Sequence, residues 1–149
     1  MEGTVPNLPP AAYLWPQASA ERIANMMSRS SIEEQERRDL VRSAKWLYKL
    51  GFTPGTSGNL SIRLGPERLL VTPTGVSKCM LKPEDMVIAD LQGRLLAGTR
   101  RVTSEISMHL AVYAIRSDVS AVIHSHPPVA TAFACSGRAL DQMLCQEPL

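Results

Sequence analysis

Hydrophobic positions change their period several times along the chain, and each change marks an expected element. From Ser31 onward, Leu40, Val41, Ala44, Leu47 and Tyr48 recur at helical spacing, with Glu33, Glu34, Glu36, Arg37 and Arg38 mostly opposite. That pattern predicts an amphipathic helix with its charged face in water. Ser31 followed by Glu34 fits a capping box at its start, and Gly51 closes it. The alternation of Leu60-Ser61-Ile62-Arg63-Leu64 predicts a strand, and Leu69-Leu70-Val71 a second, across the polar turn Gly65-Pro66-Glu67-Arg68. Residues 85–90 and 94–97 read as two more short strands joined through Leu91-Gln92-Gly93. Ile106, Leu110 and Tyr113 return to the helical period, with Val112 and Ile115 nearby, and this helix should end about Arg116. Thr103 or Ser104 is a natural N-cap, which places Glu105 in the first turn. Val122-Ile123 makes a last strand running into His124, stopped by Pro127-Pro128, after which 129–135 resumes helical character.

Ahead of these elements, Pro6, Pro9, Pro10 and Pro16 sit in a stretch with little periodicity. Proline fixes φ and removes a donor, so residues 1–30 are expected to form a mobile leader before one domain over 31–149. The 149-residue length and 44% hydrophobic content suit a single globular core. No apolar run approaches the roughly twenty residues that span a bilayer, and the N-terminus lacks a secretory layout, so a cytoplasmic, non-membrane protein is expected. Three cysteines, Cys79, Cys135 and Cys145, show no C-x-x-C spacing and indicate neither a disulfide framework nor a thiolate zinc site. With a net charge of +2 and the two signs interspersed, no nucleic-acid partner is indicated; Arg37-Arg38 and Arg100-Arg101 read as solvated faces.

Candidate chemistry gathers around Ala121-Val122-Ile123-His124-Ser125-His126-Pro127. Residues two apart on an extended strand share a face, so His124 and His126 can offer imidazole nitrogens to one cation at about 2.0–2.1 Å, with Zn²⁺ the usual guest. A lone strand histidine is otherwise a packing residue. Thr53-Pro54-Gly55-Thr56-Ser57-Gly58-Asn59 is dense in glycine and hydroxyls, which suits either an ordinary turn or a loop whose backbone N–H groups approach an anion. Thr72-Pro73-Thr74-Gly75 is a second small-residue turn. A helix start at Thr103-Ser104-Glu105 would favour a phosphate oxygen or carboxylate, and a Glu there is favoured by the dipole whether or not it catalyses. His109 reads as a packed or hydrogen-bonded helix histidine rather than a metal ligand.

Taken in order, Ser57-Gly58-Asn59, Thr72-Pro73-Thr74-Gly75, Thr103-Ser104-Glu105 and His124-Ser125-His126-Pro127 resemble the class II aldolase/adducin family, which includes fuculose-phosphate-type aldolases. The resemblance runs from about residue 32 to the end. It implies an α/β fold of three-layer type, a central, mostly antiparallel sheet flanked by helices. It further implies that His124 and His126 ligate a catalytic Zn²⁺ or another divalent transition metal, and that Glu105 is the acid/base. Gly58, Asn59, Thr74, Gly75, Thr103 and Ser104 would bind the phosphate of a phosphorylated sugar. The family's enzymes are commonly homotetramers with the site near a subunit boundary. Its third metal histidine lies downstream of the H-x-H pair, past Leu149, so the chain is expected to correspond to a C-terminally incomplete, N-terminal portion of such a domain. Val102 stands where the family often has proline, and Thr74 and Thr103 where serine is common; threonine keeps the hydroxyl.

Within the family, related epimerases tend to carry aspartate where this chain has Glu105, which directs the expectation to aldolase-type lyase chemistry through an enediolate. Dehydratases and decarboxylases of phosphorylated sugars remain open. A non-catalytic adducin-like binding module shares the fold without the metal histidines, and both are present here. The H-S-H-P string also resembles JAB/MPN metallo-isopeptidases, but Cys135 and Arg138 stand where those need serine and aspartate, with Ser136 and Asp141 displaced.

Overall fold

A computed structural model describes residues 17–139, which divide into two compact units, the first ending at Ile32 and the second beginning at Glu33. The first is helical from Gln17; residues 1–16, where all four prolines of the expected leader lie, fall outside the described residues. Helix α1 is assigned over Gln17–Lys49. Ser31 is therefore internal to a helix rather than its cap, and its hydroxyl donates to the Ser28 carbonyl at 2.8 Å. The reason lies in composition: Ala18, Ala20, Glu21, Arg22 and Ala24 are good helix formers, and nothing in the run breaks the backbone.

In the second unit five strands form one antiparallel sheet: β1 Asn59–Arg63, β2 Arg68–Val71, β3 Val87–Asp90, β4 Leu95–Ala97 and β5 Ala121–His124. Their spatial order is β4-β3-β2-β1-β5. Helices α2, Ile106–Ile115, and α3, Pro128–Ser136, complete the secondary structure together with a 3-10 turn at Pro83–Asp85. The strand expected over 85–90 thus begins two residues late. Pro83 offers no N–H, and the Asp85 carboxylate accepts from the Lys82 N–H at 2.9 Å and from Arg100 Nε at 2.6 Å, which holds the chain in a turn.

Both faces of the sheet are covered, as the unbroken apolar runs of β2 and β3 require, since successive residues point to opposite faces. Leu60, Leu70 and Ile88 point to one side and pack with Leu40, Val41 and Ala44 of α1 and with Leu81 and Met86. Leu69, Val71, Val87 and Ala89 point to the other and pack against Tyr113, with Ile106 and Leu110 of α2 beside them. Helix, sheet and helix make the three layers expected. Leu70 is fully buried at the centre, and truncating such a leucine to alanine costs on the order of 2–5 kcal/mol.

Arg37 corrects the reading of a uniformly solvated charged face. Its guanidinium donates to the Met86 carbonyl at 2.8 Å, to the Pro83 carbonyl at 3.3 Å and to Glu33 Oε1 at 3.0 Å. It therefore ties α1 to the 3-10 turn by satisfying main-chain oxygens there. Arg38 is exposed and pairs only along the helix, as expected.

Candidate active site

Three segments distant in sequence are brought to one end of the sheet by backbone pairing. Asn59 opens β1 directly opposite His124, the last residue of β5. Beyond β2, Thr72 clasps β1: its N–H donates to the Leu60 carbonyl and its Oγ1 accepts the Leu60 N–H, both at 3.0 Å. The next turn is then held against the segment that leads into α2, through a bridge between Pro73 and Val102 and a bond from the Thr74 N–H to the Arg101 carbonyl at 3.1 Å.

Gly58 allows the tightest approach. Its φ is +72°, and a Cβ there would lie 2.6 Å from Thr53 Cγ2 and 2.8 Å from the His124 carbonyl oxygen. Only glycine brings the loop this close beneath the histidine strand.

The result is a cavity of about 330 Å³ lined by Gly58, Asn59, Thr74, Gly75, Thr103, Ser104, Glu105 and His126, with Thr56, Ser57, Pro73 and Lys78. Every residue expected at the phosphate site is present, as is Glu105. His124 adjoins the cavity through Glu105. A larger groove, about 550 Å³, lies along α1 beside Trp46 and is lined by no carboxylate, histidine or hydroxyl.

Glu105, His124 and His126 form the one group of potential metal ligands among the described residues, with one donor atom from each lying within 4.8 Å of the others. The two imidazoles suit a borderline divalent cation, with the carboxylate close beside them. The imidazole centroids are 4.7 Å apart and tilted by 55°. The two rings meet by a different route from that expected: β5 stops at His124, and His126 lies past the strand end, where its N–H donates to the Phe52 carbonyl at 2.7 Å.

Glu105 also departs from expectation by one residue. It is the N-cap of α2 rather than part of the first turn, and its side chain makes no capping bond. The carboxylate turns instead to Asn59 Nδ2 at 2.5 Å and His124 Nδ1 at 3.1 Å. Desolvation alone would raise the Glu105 pKa, but the Asn59 hydrogen bond, with His124 and His126 nearby, outweighs it and holds the carboxyl below the ordinary value. Thr103 and Ser104 precede the helix rather than cap it; Thr103 Oγ1 accepts the Glu105 N–H at 3.4 Å.

Lys78 is the site residue that sequence reasoning missed. Its side chain is 1% exposed, and its ammonium donates to the carbonyls of Thr56 and Val76, both at 3.1 Å, so one cation joins the two small-residue loops. Burial pushes its pKa down, and the charge of Glu105 partly opposes this. A lone lysine in a turn has no periodic signature, and its only clue was its position three residues after Gly75. His109 is buried and hydrogen-bonded as expected, to Ser61 through Nδ1 and Asn59 through Nε2.

The sheet with helices on both faces and a polar pocket at the end of β1 and β5 define a class II aldolase type of domain. The chain belongs to the family Class II Aldolase and Adducin N-terminal domain, which residues 38–148 match. It is 41% identical over 104 residues to the 5-methylthioribulose-1-phosphate/5-deoxyribulose-1-phosphate aldolase of Rhodospirillum rubrum, covering 70% of this chain and 46% of the relative. It is 38% identical over 96 residues to the 3-oxo-tetronate 4-phosphate decarboxylase of Haemophilus influenzae, covering 64% of this chain and 45% of the relative. Among solved structures it is similar to an L-fuculose 1-phosphate aldolase, with TM-score 0.63 and 35% identity over 68% of this chain and 49% of that one. The chain thus spans about half the length of the curated relatives it matches. No helix among the described residues is long and apolar enough to cross a membrane.

Proposed function

We propose that the protein is, or forms the N-terminal part of, a divalent-metal-dependent lyase of aldolase type acting on a phosphorylated sugar. The observation that carries this reading is the meeting of Glu105, His124 and His126 at one end of a cavity whose remaining wall is mostly hydroxyls and glycines, with the Asn59 amide, Pro73 and one buried ammonium. His124 and His126 are the residues that would hold the metal, Zn²⁺ in the first instance. When bound, it would supply Lewis acidity that stabilises the negative charge of an enediolate.

The chain's own residues would do the rest. In the direction of C–C bond formation, the Glu105 carboxylate removes a proton from the carbon beside the substrate carbonyl; in cleavage it returns that proton to the same carbon. A carboxyl held below its ordinary pKa is ionised and ready to accept. Asn59, Thr74, Gly75, Thr103 and Ser104, with Gly58 admitting the close approach, would hold the phosphate away from the reacting carbons, and Lys78 contributes the neutralising charge. Names of the relatives, sugar-phosphate aldolases and a decarboxylase of a phosphorylated oxo acid, have a phosphorylated substrate in common. Retention of both histidines favours an enzyme over an adducin-like binding module. A homo-oligomer, tetrameric at the length of the relatives, belongs to the same reading.

Calorimetric titration of the protein with Zn²⁺ and then with inorganic phosphate tests the two halves of the site. Release of dihydroxyacetone phosphate from ketose 1-phosphates, followed with a coupled dehydrogenase, tests the reaction in a protein extended to the length of its relatives. Absence of both metal and phosphate binding overturns the proposal.

A further inference from the structure

A hydrogen-bonded line of buried side chains runs from the sheet to the Glu105 carboxylate, and the function proposed above leaves most of it unused. Tyr113 Oη lies 2.9 Å from Ser61 Oγ, which lies 2.7 Å from His109 Nδ1. His109 Nε2 lies 2.5 Å from Asn59 Oδ1, and Asn59 Nδ2 lies 2.5 Å from Glu105 Oε2. Ser61, His109, Asn59 and Tyr113 are each at most 5% exposed, so no member can exchange its partner for bulk water.

The direction of every bond follows from one end. An ionised carboxylate only accepts, so Asn59 must present its amide N–H to Glu105 and its carbonyl to His109. A bare ring nitrogen facing that carbonyl would oppose two lone pairs, so Nε2 carries the proton and donates. Burial, with the His124 charge adding to it and Glu105 opposing, pushes the His109 pKa down to about 4. The ring is then neutral near pH 7, with a bare Nδ1 that accepts the Ser61 hydroxyl proton. Ser61 Oγ is left to accept from Tyr113.

We infer that His109 is a positioning residue: its Nε2–H fixes the orientation of the Asn59 side-chain amide, and through that amide fixes where the Glu105 carboxylate stands. Three observations give this consequence. Glu105 makes no capping bond with its side chain, so nothing in α2 itself anchors the carboxylate. A flipped Asn59 would place oxygen against the carboxylate and N–H against N–H, two repulsive contacts at an amide that is 4% exposed. His109 and Glu105 are four residues apart, so the helix holds the imidazole and the carboxylate on one side, with Asn59 of β1 between them. His109 spends both ring nitrogens in this line and has none left for a cation. The catalytic consequence rests on the lyase reading; the geometric one does not.

The test has two arms. In the first, the full chain is labelled with ¹⁵N at histidine, and the ring nitrogens of His109 are assigned at pH 7. The inference expects a neutral ring with the proton on Nε2, and a proton on Nδ1 or a doubly protonated ring overturns it. In the second, His109→Phe and His109→Gln are compared in the protein extended to the length of its relatives. Phe keeps bulk without a donor, whereas the Gln amide can reach the Nε2 position and donate. A loss of roughly 10- to 100-fold in kcat with KM little changed is expected for Phe, with Gln restoring most of it at similar Tm. Equal kcat in the two variants overturns the positioning role. A wild-type protein that turns over no phosphorylated ketose counts against the lyase reading instead, and the inference is then decided by the ring-nitrogen assignment alone.

Discussion

Acidification should unfold this protein partly through His109, and the effect can be isolated. The ring is 0% exposed, and its folded-state pKa of about 4 lies below the ordinary imidazole value of 6.5. Between those values the unfolded chain binds a proton that the folded chain refuses, so stability rises with pH across the window. It is complete above about pH 6.5 and is lost as pH falls toward 4. The gap between 6.5 and about 4, at about 1.36 kcal/mol per pH unit, is worth about 3 kcal/mol. The titratable groups acting on the ring are Glu105 and His124, and Tyr113 meets it through Ser61. Carboxylates with lowered pKa, Asp85 and Glu105 among them, also lose stabilisation in acid. Comparison with His109→Gln cancels most of their contribution. Urea denaturation of both proteins at steps from pH 7.5 to 4.5 should show the stability gap between them shifting against the wild type by about 2–3 kcal/mol. Curves that stay parallel over this range would refute the argument, because the His109 ring would then bind its proton equally well in the folded and unfolded chains.

Three further outcomes follow from the site. Glu105→Gln in the protein extended to the length of its relatives should abolish turnover while Zn²⁺ stoichiometry by elemental analysis stays unchanged; simultaneous loss of metal would contradict an acid/base role. Lys78→Met should weaken binding of inorganic phosphate by tenfold or more, equivalent to about 1.4 kcal/mol, in a calorimetric titration, and an unchanged affinity would remove Lys78 from the pocket's function. Gly58→Ala combines a φ of +72° with a Cβ 2.8 Å from the His124 carbonyl oxygen. It should cost about 2–3 kcal/mol in chemical denaturation, and a loss below about 0.5 kcal/mol would show that the loop yields freely.

Local pattern carried the elements further than it carried their meeting. The stripe of Leu40, Val41 and Ala44 and the alternation through Leu60 and Ile62 were legible because burial on one face imposes a period. Convergence was not: Asn59 and His124 face each other across two strands, and pairing between residues so far apart leaves no trace in either segment alone. The resemblance to a known family supplied what periodicity could not, namely that four short unspecific patches belong together. Arg37 and Lys78 were misread or missed for the same physical reason. A long cationic side chain carries its charge far from its Cα, so its sequence position does not say whether carbonyls or water receive its protons. His126 was expected on the strand, but its partner at Phe52 belongs to the loop that follows α1, which no pattern around residue 126 announces.

Among the described residues β5 is the outermost strand, bonded to β1 along a single side, so its other side presents a row of amides and carbonyls with no strand against it. Ala121 and Ile123 share one exposed face of that strand. Whatever strand is laid against that row would also tighten His124 at its end, so the stiffness of the imidazole would be governed by pairing one strand-width away. Deuterium uptake reads this directly: amides of β5 should exchange faster than those of β2, which has a neighbour on each side, and ligand entry at the histidines should slow them.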